Sequence, residues 1–201
     1  MKLYYSPGAC SLSPHIVAHE TGTVLTLEKV DTKTKRTASG RDFTEINPKG
    51  YVPALELDDG QVLTEGPVIA QYLADQKPEA GLAPAAGSLD RYRLLEVLGF
   101  LNSEVHKSYS PLFNPGTSAE VRTEKDAVLK KRYALIDQWL ATQEYLVGDK
   151  FTVADAYLFT LTSWAKHVKV DLSAYSHVAA FQQRVAKRPA VQAALKAEGL
   201  I

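Results

Sequence analysis

The chain has 201 residues, of which 45% are apolar and 23% charged. That is enough to bury one large or two small cores, and too apolar for a disordered chain. Lys+Arg and Asp+Glu both number 23, so no net charge draws the chain to nucleic acid or to an anionic membrane.

No run approaches the roughly 18 apolar residues that a membrane helix needs. The first residues lack the pattern of a signal peptide. The one cysteine, Cys10, has no partner for a disulfide within the chain, which points to a reducing, cytoplasmic setting.

In chain order, "KLYYS" (residues 2–6) has the composition of a short buried strand closed by Pro7-Gly8. "SLSPHIVAHETG" (11–22) predicts a helix, with Ser11 or Ser13 as cap, Pro14 in the first turn and Gly22 at the stop. "VLTLEKVD" predicts a second strand, and a polar segment, 32–42, follows. "ALEL" and "QVL" flank Asp58-Asp59-Gly60, a hairpin signal. "EGPVIAQYLADQ" predicts a helix with Pro67 near its start and Ile69, Tyr72 and Leu73 on one stripe. The order β-α-β-β-β-α, with the polar segment before the hairpin, is a small α/β layer on a mixed sheet.

"KPEAGLAPAAGS" (77–88) is rich in Pro, Ala and Gly and predicts a linker. Beyond it strand signals fade. "DRYRLLEVLGFLNSEVHKSY" and "SAEVRTEKDAVLKKRYALIDQWLATQ" space apolar residues three and four apart. "TVADAYLFTLTSWAKHV" predicts a buried helix, and two short helices near 177–187 and 189–198 complete an all-helical bundle. The domain expectation is 1–80 for the α/β part, 81–87 for the linker and 88–201 for the helical part.

Cys10 stands just before a helix, where unpaired N–H groups and the positive end of the helix dipole predict a lowered thiol pKa. His106 lies on the first long helix of the bundle, with Ser103, Glu104 and Lys107 beside it. Val52-Pro53 precedes a strand, where proline removes a ladder donor. In "TEGP", Glu65 beside the helix start at Gly66 offers one carboxylate for an ammonium and backbone N–H groups for a carboxylate. Thr152 and Asp155 have capping-box spacing. His15 and His19 stand four apart, but with no further ligand cluster they predict no metal site.

Five stretches together, "YYSPGACSLSPH", "NPKGYVPALELDDG", "LTEGPVIAQYLAD", "SEVHKSYSPLF" and "GDKFTVADAYLF", resemble the bacterial beta-class glutathione S-transferases over essentially the whole chain. The resemblance implies a thioredoxin-like N-terminal domain, an all-α helical-bundle C-terminal domain and a homodimer. The implied activity is conjugation of the glutathione thiolate to hydrophobic electrophiles, a detoxification reaction.

By that resemblance Cys10 and His106 face the glutathione sulfur, and Val52, before a cis Pro53, pairs with the cysteinyl backbone. Glu65 and Gly66 take the γ-glutamyl end, and Lys35 takes the glycine carboxylate. Ser103, Glu104 and Lys107 add contacts, while Tyr109, Phe113 and Trp164 receive the electrophile. Relatives often carry Asn where this chain has Gly99, so a contact to the peptide is missing or is supplied by Asn102. The rival readings are a thiol-disulfide oxidoreductase acting through Cys10 and a non-enzymatic binder of hydrophobic ligands.

Overall fold

The computed structural model describes all residues, Met1–Ile201. They cluster into two compact units: Met1–Ala83 together with Lys187–Ile201, and Pro84–Ala186. The boundary falls inside the Pro/Ala/Gly-rich linker.

The first unit is built on strands β1 (Lys2–Tyr5), β2 (Thr26–Asp31), β3 (Arg36–Thr37), β4 (Ala54–Glu56) and β5 (Val62–Thr64), in the sheet order β3-β2-β1-β4-β5. β1 runs parallel to β2 and antiparallel to β4, so Leu3 stands opposite both Leu27 and Leu55. Helix α1 (Leu12–Glu20) joins β1 to β2, and α2 (Gly66–Asp75) follows β5. The alternation of side chains along β1 buries Leu3 and Tyr4. The Tyr4 and Phe43 rings meet tilted, centroids 5.7 Å apart, within a cluster that includes Val30, Val52 and Ala54. The hairpin turns at Gly60, whose φ of +84° lies in the region glycine favours. β3 is a strand that the polar segment concealed. It is only two residues long and pairs with the end of β2.

The second unit carries α3 (Leu89–Phe100), which continues as a π-helical stretch, Leu101–His106, and one α-helical turn, α4 (Lys107–Tyr109). The Ser88 hydroxyl caps α3 by accepting from the Arg91 N–H. Then come α5 (Ala119–Leu140), α6 (Val153–Val168) and α7 (Ser176–Ala186). α6 is buried along most of its length, as its composition predicts. At its start, Asp155 accepts from the Thr152 N–H at 2.8 Å, the Thr152 hydroxyl at 2.9 Å and the Leu146 N–H at 2.8 Å, in the expected capping box. On α5, Asp137 accepts from the N–H groups of His177 and Val178 and so fixes the start of α7. No helix is long and apolar enough to cross a membrane.

The last helix, α8 (Pro189–Ala197), corrects the expected 88–201 domain, because it packs with the first unit. Its apolar Val191 and Ala194 are buried, and charge pairs that helical periodicity does not reveal fix its ends. Arg188 bridges Glu20 through Nε and Nη2, at 2.6 and 3.0 Å. Glu198 is buried against α1, accepting from the Gly8 N–H at 2.8 Å and pairing with His15 Nδ1 at 2.8 Å.

Candidate active site

In the first unit, three separate stretches meet at Cys10. Its thiol donates to the Val52 carbonyl at 3.2 Å. The Val52-Pro53 bond is cis. A Cβ added at Gly66 would lie 3.6 Å from the Pro53 ring and 3.8 Å from the Cys10 carbonyl, so the start of α2 rests on both. Residues 10, 52–53 and 65–66 thus form one local surface, although they are some 40 and 13 residues apart in sequence.

The loop before α1 is held on two sides. The Ser11 hydroxyl accepts from the Ser6 N–H and donates to the Ser6 carbonyl, both at 3.2 Å. Ser11 therefore ties the loop to β1 instead of capping α1 through its side chain. The other tie is Gly8 to Glu198.

The expected lowering of the Cys10 pKa is overturned. Burial pushes the thiol up to about 12, outweighing the N–H groups of Cys10 and Ser11, which pull it down. A helix start stabilises a thiolate by an amount that falls off within one turn, whereas desolvation acts on the full charge. Cys10 is therefore held as the neutral thiol at pH 7 and acts as a donor.

Glu65 has φ +69°, a conformation that side-chain-bearing residues rarely adopt. It presents its carboxylate beside the α2 start and pairs with Lys49 at 2.7 Å, while Lys49 also reaches the Thr64 hydroxyl at 3.0 Å. Lys49 was missed by sequence reasoning. Its only signal is its place in the NPKG turn, whose fold brings residue 49 back beside residue 65. Pro67 has no N–H, and the Val68 N–H is already donated to the Glu65 carbonyl. The helix start thus offers a carboxylate the Gly66 N–H, fewer donors than the sequence suggests. Lys35, at φ +57°, donates to the Gly50 carbonyl at 2.9 Å and lies over the ring of Tyr51, the residue before Val52.

In the second unit, His106 ends the π-helical stretch. Wide π-helical turns that interrupt α-helices are frequent at functional positions. Its Nδ1 lies 2.6 Å from the Tyr157 hydroxyl, which donates to Asn102 Oδ1 at 3.0 Å. Trp164 meets the His106 ring edge-on at 4.9 Å. Asn102 thus accepts from Tyr157 through its Oδ1.

Ser103 is exposed and donates to the Gly99 carbonyl. Glu104 pairs with Arg132 at 2.7 Å, and Lys107 is exposed. Phe113 is 49% exposed and stands edge-on to Trp164 at 5.4 Å. Tyr109, expected to face the electrophile, is instead fully buried. It donates to Tyr133 and backs Trp164 at 5.6 Å, and burial drives its phenol pKa far up.

A thioredoxin-like layer with a cysteine at its first helix and a cis-proline beside it, followed by a helical bundle, defines the architecture of the cytosolic glutathione transferases. The model of the glutathione S-transferase N-terminal domain matches residues 8–76, and that of the C-terminal domain residues 100–189. The chain is 48% identical to glutathione S-transferase GstA of Escherichia coli O157:H7, over all of both chains. A sphingomonad glutathione S-transferase solved in complex with glutathione shares 51% identity at a TM-score of 0.97, over all of both chains. The bacterial beta-class enzyme of Sphingomonas chungbukensis shares 50% at 0.97, again over all of both. The chain belongs to the glutathione S-transferase family, is a transferase, and sits among its bacterial beta-class members.

Proposed function

We propose that this enzyme binds glutathione on the surface formed by residues 10, 52–53 and 65–66, and conjugates its sulfur to small hydrophobic electrophiles. The observation that carries the reading is the meeting of Cys10, Val52-Pro53 and Gly66 in one place. The Val52 backbone is suited to pair with the cysteinyl residue. Glu65 takes the γ-glutamyl ammonium in place of Lys49, the Gly66 N–H takes the neighbouring carboxylate, and Lys35 takes the glycine carboxylate. Ser103, Glu104 and Lys107 supply further polar contacts.

Cys10, held as a thiol, donates a hydrogen bond to the glutathione thiolate, and His106 handles the proton. Phe113 offers the apolar surface for the electrophile, with the buried Trp164 and Tyr109 packed behind it. The raised Cys10 pKa favours conjugation over thiol-disulfide exchange, because exchange needs Cys10 itself as a thiolate. No metal takes part.

The working form is a cytoplasmic homodimer. Leu89, Tyr92 and Leu95, three apart on α3, are exposed apolar side chains for a second copy to cover, and the lone cysteine suits a reducing compartment.

Calorimetric titration tests the binding mode. Glutathione should bind, and dipeptides lacking either the γ-glutamyl or the glycine residue should bind at least about tenfold more weakly, the loss expected for one charged hydrogen-bonded contact. Equal affinity for the truncated ligands would contradict the assignment of Glu65 and Lys35.

A further inference from the structure

Three polar side chains form a chain between the π-helical stretch and α6. Asn102 and His106 stand four residues apart and so share a helix face. Tyr157, 1% exposed, comes up between them from α6. Its hydroxyl has a single proton and donates it to Asn102 Oδ1 at 3.0 Å. The same oxygen lies 2.6 Å from His106 Nδ1. An oxygen that has given away its one proton can only accept, so Nδ1 must carry hydrogen. A neutral imidazole has one N–H, and Nε2 then holds the lone pair. The ring cannot easily turn away, since Trp164 packs edge-on against it at 4.9 Å and Tyr157 at 6.0 Å.

We infer that Tyr157, oriented by Asn102, is a positioning residue that fixes His106 as its Nδ1–H tautomer and makes Nε2 the acceptor of the glutathione thiol proton. This rests on the proposed conjugation. In the step, the S–H bond breaks, its electron pair stays on sulfur, and the proton joins Nε2 to give an imidazolium. Tyr157 goes on accepting from Nδ1–H throughout. The sulfur pair then forms the C–S bond as the leaving group departs with its own pair, and the Nε2 proton returns to the leaving group or to water. In the opposite tautomer, Nε2 would already carry hydrogen and could not begin this cycle.

The test is nitrogen NMR of the full chain with labelled histidine, without glutathione and above the usual histidine pKa, with the signal assigned through His106→Asn. Wild type should show Nδ1 protonated and Nε2 bare. Tyr157→Phe, which removes the acceptor, and Asn102→Ala, which leaves Tyr157 free to donate to Nδ1, should both shift His106 toward Nε2–H. With an activated aryl halide, kcat should fall about tenfold in each, while the KM for glutathione stays within about twofold. A wild-type signal from Nε2–H, or a tautomer unmoved in both variants, overturns the proposal. A His106→Asn enzyme with wild-type kcat overturns the acceptor role even where the tautomer is as stated, and it leaves the glutathione-binding assignment standing.

Discussion

The Cys10 thiol donates to the Val52 carbonyl across 3.2 Å, joining the loop before α1 to the cis-proline turn. In the proposed binding mode the same carbonyl also accepts from the cysteinyl N–H, and the thiol turns to the ligand's sulfur. Residue 10 is in this account a hydrogen-bond donor and not the nucleophile.

A Cys10→Ala enzyme is expected to keep conjugating, with kcat/KM down about tenfold or less, the usual worth of one hydrogen bond to a charged group. Any glutathione-disulfide exchange should disappear in the same protein. Side-by-side assays of the two reactions check this, and complete loss of conjugation would speak for a covalent role.

Glu65 combines an unfavourable backbone with an exposed ion pair. Surface pairs of this kind contribute about 0–1 kcal/mol, while a positive φ on a side-chain-bearing residue costs on the order of 1 kcal/mol or more. Glu65→Gly should therefore stabilise the fold by about 1 kcal/mol in urea denaturation and raise the KM for glutathione at least about tenfold. A variant less stable than wild type would contradict the strain assigned to this position.

Asp155 gives a pH signature. Burial raises its carboxyl from 3.8 to about 6, against the hydrogen bonds from Leu146 and Thr152. The folded state holds the proton more tightly, so the contribution of Asp155 is greatest below pH 4 and is lost as pH rises through 6. The total change is about 3 kcal/mol. Asp155→Ala should be destabilising throughout, since the cap is gone, by about 1–2 kcal/mol at pH 7 and by more at pH 4. The check is unfolding free energy of both proteins at several pH values, where a gap that widens with rising pH would reverse the sign.

Glu198 lies far along the chain from Cys10, yet it accepts from Gly8 two residues before it. Glu198→Ala takes this partner from the buried His15 and from the part-buried Gly8 N–H. The expected cost is about 3 kcal/mol, and the loop carrying Cys10 should loosen. Hydrogen exchange at residues 6–11 should rise more than exchange on α6, and uniform exchange across both would contradict this link.

Much of this was legible in the residues. The short apolar run in "KLYYS", the Asp-Asp-Gly turn and the three-four spacing of the later helices fix their elements locally, and the structure agrees. What the sequence concealed depends on distant contacts. Lys49 meets Glu65 only after the turn folds back, and α8 joins the first unit through Glu20 and His15. Tyr109 looked like a pocket aromatic because helical spacing does not distinguish inward from ligand-facing positions. The Cys10 pKa was misjudged because a helix start is visible in sequence, whereas the burial that outweighs it is not. Tyr157 carried no signal that set it apart from the other hydroxyl residues of α6, Thr160, Thr162 and Ser163.

The central claim is that glutathione's sulfur is ionised on this enzyme by donors and a proton acceptor. Ultraviolet thiolate absorbance of the bound peptide, followed against pH in wild type and Cys10→Ala, tests it most directly. The account predicts a bound thiol pKa about two units below that of the free peptide, a stabilisation of roughly 2.7 kcal/mol, with most of the shift surviving loss of Cys10. A bound thiol that titrates where the free one does would contradict it.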